Sequence, residues 1–197
     1  MKAFRALKHY RLPPGSRLCL MDDGLPLKVL PEDPAIHCMT DLYRVPAVTT
    51  KASVSIEHAL QHMIHTGVRM LFVLDDADIL IGLVTARDIT GEKPIRIAAE
   101  KGMTRNEISV QDVMIGQHQI DVLDLSEVER SMVGDIVLTL RDAGRQHALV
   151  RENRMQQTEI RGVFSISQIA RQLDLELSVS DAVQSFSELE HILLRDD

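Results

Sequence analysis

The sequence predicts a mixed α/β (α+β) fold in which two βαββα repeats pack about a pseudo-two-fold axis. Three observations predict it. The apolar stretch GLVTARDI at 82–89, a strand that runs into a helix start, returns as GVFSISQI at 162–169. A helical stripe closed by Gly67 returns 77 residues later, closed by Gly144. Six of the seven prolines precede Ala47, so the N-terminal part is unlike the rest.

Five segments follow in order. Residues 1–35 read as an extended N-terminal arm, with RLCLMDDGLPLKV a hairpin turning at Asp23-Gly24. The first repeat, 36–90, opens with the strand VPAVTT. Ile56, Ala59, Leu60, Met63 and Ile64 then recur at helical spacing, and a glycine at 67 suits a helix C-terminus. RMLFVL reads as a buried strand, DDAD as a turn, ILIGLVT as the next strand, and Asp88 opens a helix. Residues 91–109 read as a connecting helix and loop. The second repeat, 110–173, has IDVLDL as its leading strand and Val133, Ile136, Val137 and Leu140 as its stripe. Its hairpin turn, ENRMQQT, is three residues longer than DDAD, which a surface loop tolerates. Residues 174–197 read as a docked helix with Ser180 as N-cap. A repeat of ~60 residues buries little core alone, so two sheets packed face to face are expected.

Composition narrows the function. Aromatic residues make up 3% of the chain, with no Trp, which argues against a stacking platform for nucleic acid. The formal charge of −7 with no long basic run offers no footprint for nucleic acid or anionic lipid. Cys19 and Cys38 form no metal or redox spacing and read as free thiols of a reducing compartment. The N-terminus lacks a long apolar signal-peptide core, and no apolar run approaches the ~20 residues that span a bilayer. A cytoplasmic location is expected.

The GLVTARDI motif carries the chemistry. A glycine at 82, with no side chain, allows a ligand to approach the backbone closely. Thr85, at the strand-to-helix junction, can bond a phosphate oxygen where the helix N-terminus favours negative charge. Asp88, acceptor-only when ionised, has two oxygens to match two ribose hydroxyls. The same residues also suit plain helix capping, and local chemistry leaves both readings open.

GVRMLFVLDDADILIGLVTARDI, with its second copy AGRQHALVRE…EIRGVFSISQI, resembles a tandem pair of CBS (cystathionine-β-synthase) domains, a Bateman module. Met39 and Met114, ahead of each leading strand, fit the same pattern. The resemblance covers about two-thirds of the chain. It implies a disc-like regulatory module, non-catalytic, that binds AMP, ADP, ATP or S-adenosylmethionine in a cleft between repeats. Carried across, Asp88 holds the ribose, Thr85 meets phosphate, and Arg69 offers it a cation. Gln146 and His147 reach the same cleft, and Val122 walls the adenine. Ser165 and Gln168 mark a weaker second site, because a neutral amide lacks a carboxylate's charge-assisted bonds. Phe72 and Leu149 stand where the family often has proline.

Competing signals are weaker. His58, His62 and His65 share one helical face opposite the core, where zinc binding and a solvated face are both open. There is no nucleophile elbow, P-loop or HExxH, so no enzyme is expected, and no cofactor is required. Asp22, Asp23, Asp75 and Asp76 read as turn acids. The expectation is a homodimer signalling to an unknown partner protein, with no nucleic acid and no membrane. A ligand-independent structural dimer or adaptor is the alternative.

Overall fold

A computed structural model describes residues 25–154 and 157–174. Cys19, the Asp23-Gly24 hairpin and the Ser180-capped helix lie outside those residues. The first half runs β1 (Thr40–Asp41), β2 (Thr49–Lys51), α1 (Ile56–Thr66), β3 (Met70–Leu74), β4 (Leu80–Thr85) and α2 (Ala86–Thr90). Helix α3 (Glu92–Lys101) connects the halves. The second half runs α4 (Val110–Val113), β5 (Ile115–Gly116), β6 (Val122–Asp124), α5 (Leu125–Val128), α6 (Val133–Asp142), β7 (His147–Arg154), β8 (Gln157–Ser165) and α7 (Ile166–Gln172).

The strands form two four-stranded sheets, β2-β3-β4-β5 and β1-β8-β7-β6. Each has one parallel pair (β2 with β3, β6 with β7) and two antiparallel pairs. Successive strand residues face opposite sides of a sheet. Leu71 and Val73 of β3 therefore join Ile56, Ala59 and Met63 of α1 in one core. Val150 and Phe164 join Ile136, Val137 and Leu140 of α6 in another. The alternate residues, Met70, Phe72, Leu83, Leu149 and Val163, meet in a third cluster where the sheets pack face to face. Phe72 and Leu149 thus fill the inter-sheet core. Phe72 N–H also donates to Val48 O at 3.0 Å, a bond proline cannot make.

The sheets are not two contiguous stretches of chain. β5 completes the first sheet beside β4, although it follows α3; β1, from the start of the chain, completes the second beside β8. Two glycines make the exchange possible. A Cβ on Gly82 would lie 2.6 Å from Ile115 O and 3.1 Å from Met114 Sδ. A Cβ on Gly162 would collide with the Met39 side chain. Gly82 therefore receives a neighbouring strand, in place of the expected ligand. Residues 29–38 follow β1 into the second half: Val29 N–H donates to Gln172 O and Ala35 N–H to Ser131 O. Cys38 is buried there as a free thiol, pushed up to about 12 by burial and then by Asp33.

Two local expectations need correcting. Ile64, read as part of the α1 stripe, is 64% exposed. At 80° from Ile56 it lies at the edge of the stripe, beyond the reach of the sheet. The longer turn of the second hairpin is mostly strand: Glu152, Asn153 and Arg154 pair with Glu159, Thr158 and Gln157. Its alternating polar side chains extend the ladder into solvent. Tyr43, just after β1, lies under this hairpin, with Arg161 3.9 Å and Arg154 5.1 Å from the centre of its ring. Arg161 also pairs with Asp41.

Candidate functional site

Extended backbone at Thr85 (φ −108°, ψ 160°) ends β4, and α2 starts on the next residue. Thr85 and Asp88 form a reciprocal capping box. Thr85 N–H donates to Asp88 Oδ2 at 2.9 Å and Thr85 Oγ1 donates to the same oxygen at 2.6 Å. Asp88 N–H returns a bond to Thr85 Oγ1 at 3.3 Å. The capping reading is therefore correct as far as it goes. Oδ2 is saturated by two donors, while Oδ1 has no hydrogen bond among the described residues. One carboxylate oxygen, where two were expected, remains for a ligand, and it is held in a fixed rotamer.

This pair opens onto a cleft of about 230 Å³ between the repeats. From the second half, Ile120 and Val122 supply an apolar wall, and Gln146 and His147, at the start of the neighbouring β7, also line the cleft. Thr85, Asp88, Val122, Gln146 and His147 all line this one cleft. Arg69 does not line the cleft. Its carbonyl accepts from Ala86 N–H at 2.9 Å, which seats it behind α2. Its guanidinium still acts on His147: burial first, then Arg69, push that imidazole down to about 4, with Asp88 opposing.

Three charged lining residues escaped the sequence reading: Arg87, Asp121 and Arg145. Arg87 stands inside the TARD motif itself, and Arg145 and Asp121 each adjoin a residue already singled out. Adjacency to known cleft residues was the available signal.

The second motif behaves differently. Ser165 makes no capping bond to its helix, and its Oγ lies 3.0 Å from Ser167 Oγ. Gln168 Oε1 accepts from Thr40 Oγ1 at 3.1 Å, so the exchanged strand β1 occupies its acceptor. The histidines of α1 are exposed, and His58 Nδ1 lies 3.0 Å from Ser55 Oγ at the helix start. Among the described residues no group of three His, Cys, Asp or Glu side chains is placed to hold a metal. Asp75 is a turn residue, its Oδ1 accepting from Ala77 and Ile79 N–H. No described helix is long and apolar enough to cross a membrane.

Comparison with known proteins agrees with this frame. The CBS domain family model matches residues 36–95. No curated protein matches the sequence. A crystal structure of an uncharacterized conserved protein from Pyrococcus horikoshii aligns with a TM-score of 0.53 at 20% identity, over 77% of this chain and all of that one. A CBS-domain containing protein from Agrobacterium tumefaciens aligns with a TM-score of 0.50 at 20% identity, over 66% of this chain and 88% of its own. Both similarities are of fold. Residues 36–95 thus match a CBS domain, and the same order of strands and helices returns behind them, so the chain has the fold of a tandem CBS pair.

Proposed function

We propose that the protein is a non-catalytic regulatory module of the cytoplasm that binds an adenosyl ligand in the Thr85–Asp88 cleft and signals its occupancy to a partner protein. AMP, ADP, ATP and S-adenosylmethionine are the candidate ligands. The observation that carries this reading is the conjunction in one cleft of a fixed carboxylate with an open oxygen, an apolar wall and a bracket of polar groups. Few precisely placed polar groups on an apolar wall are what a small-molecule site needs. Asp88 Oδ1 takes a ribose hydroxyl, Val122 and Ile120 flank the base, and Thr85 faces phosphate, with Arg69 adding positive charge from outside the cleft lining.

The module acts as a homodimer. Ile64 on α1 and Leu138 on α6 are exposed at 64% and 38%, on helices that the pseudo-symmetry relates. Two-fold pairing is the commonest way to cover such residues. Sedimentation across micromolar concentrations reads the dimer directly: a single 22.1 kDa species throughout removes it.

Calorimetric titration of the full chain with the four ligands tests the binding. One saturable site for at least one of them is expected. Silence toward all four favours the second reading, a ligand-independent structural dimer or adaptor. The closed Thr40–Gln168 pair in the other cleft already follows that pattern.

A further inference from the structure

Charge is not spread evenly around the cleft, and the uneven part concerns which ligands it takes. Around His147 stand Arg69 ahead of β3, Arg87 and Asp88 on α2, Asp121 ahead of β6 and Arg145 ahead of β7. Helix α6 and its C-terminal cap add to the lining only the uncharged Thr139, Leu140 and Ala143. Across the hairpin His147 pairs with Ser165, which is neutral. With Arg69 acting from outside the lining, three guanidinium groups stand around His147 against two carboxylates, and one of those carboxylates, Asp88, is already engaged by Thr85. His147 is the one group on this wall whose ordinary titration range lies near neutrality. It projects from the second repeat into a cleft whose motif comes from the first.

Resting on the adenosyl reading above, we infer that the cleft selects phosphate-bearing adenosine nucleotides over both adenosine and the cationic S-adenosylmethionine, and that His147 takes up a proton as the phosphate binds. Without ligand, burial and Arg69 keep the imidazole neutral. A phosphate brought beside it supplies the opposite charge that favours imidazolium. The imidazolium then donates to a phosphate oxygen, a charge-assisted bond that neither adenosine nor a sulfonium can receive. The sulfonium meets Arg87 and Arg145 as like charges, and Arg69 adds to the repulsion from outside the lining. The proton comes from buffer, no covalent bond changes, and the affinity for the nucleotide rises as pH falls toward 6.

The test is calorimetry on the full chain at pH 7.5 with AMP, adenosine and S-adenosylmethionine, each in two buffers of different ionisation enthalpy. AMP is expected to bind at least tenfold tighter than the other two and to draw protons from buffer. His147→Gln is expected to bind AMP without the buffer dependence of the parent. Because that variant also changes packing, the imidazole of His147 is followed by NMR in the unmodified protein. Its titration is expected to move to higher pH on adding AMP and to stay in place on adding adenosine. Adenosine binding as tightly as AMP, or proton uptake undiminished in His147→Gln, overturns this inference and leaves the adenosyl site standing. Absence of binding by all three overturns both.

Discussion

The two repeats share a backbone plan and differ in what their motif side chains have left to offer. In the first, Thr85 holds Asp88 by one oxygen and leaves the other open. In the second, Gln168 is taken by Thr40, and Ser165 turns to Ser167. The origin of the difference lies one strand away. Thr40 sits opposite Val163 as Ile115 sits opposite Leu83, so the two are equivalent positions of the exchanged strands. Threonine brings a hydroxyl to the motif acceptor and isoleucine brings none. A motif in this fold is thus open or closed according to a residue donated by the other half.

The largest effect that separates the halves concerns the glycines. Gly82→Ala drives a methyl against the backbone oxygen of Ile115, whereas Gly162→Ala meets only side-chain atoms of Met39. Chemical denaturation should show a loss of about 3 kcal/mol for the first and about 1 kcal/mol for the second. Equal losses mean the strands yield equally, and the contrast drawn here fails.

Next in size is the ligand response. At about a hundred times its dissociation constant a ligand adds about 2.7 kcal/mol of stability, a melting shift of roughly 5–10 °C. Asp88→Ala should remove most of that shift and Gln168→Ala almost none. Two equal sites per chain by calorimetry break the comparison outright.

Acid sensitivity should also belong to one cleft. The place of His147 is held by Met70 in the other repeat, opposite Thr85 as His147 is opposite Ser165. Because His147 is pushed down to about 4 from its ordinary 6.5, the unfolded chain binds its proton first. Stability from this group is therefore complete above about pH 6.5 and is lost as pH falls toward 4, by at most about 3 kcal/mol. Thermal melts of His147→Gln against the parent across that window should converge at the acid end. Parallel curves remove His147 as the cause.

The finest test rebuilds the second cleft. Thr40→Ile with Gln168→Asp copies the first cleft's arrangement, and a second, weaker adenosine-nucleotide site per chain is the expected calorimetric result. A stoichiometry that stays at one means the closure has another origin.

Much of this was legible in the sequence, because apolar periodicity is a long-window signal. The helices at Ile56 and Val133, their closing glycines and the paired hairpins all rest on ten or more residues each. The exchange of β1 and β5 was not legible. Each is a two-residue strand, too short to have a period, and its pairing is set by a glycine some 35 or 120 residues distant. The role of Gly82 was misread for that reason. That Thr85, Asp88 and His147 line one cleft was legible, since motif spacing is local. The hydrogen bond between Thr40 and Gln168 spans 128 residues and leaves no local trace.

Strand exchange also bears on what a half-molecule can be. A chain cut after α3 carries β2, β3 and β4 with the groove at Gly82 vacant, and carries β1 with no β8 to lie against. Its complement has the reverse deficiency. Each fragment displays an unpaired sheet edge and a strand that fits only the other's edge, the usual conditions for association between chains. Either half alone is therefore a sticky partner seeking its counterpart, and duplication within one chain turns an intermolecular handshake into an internal one.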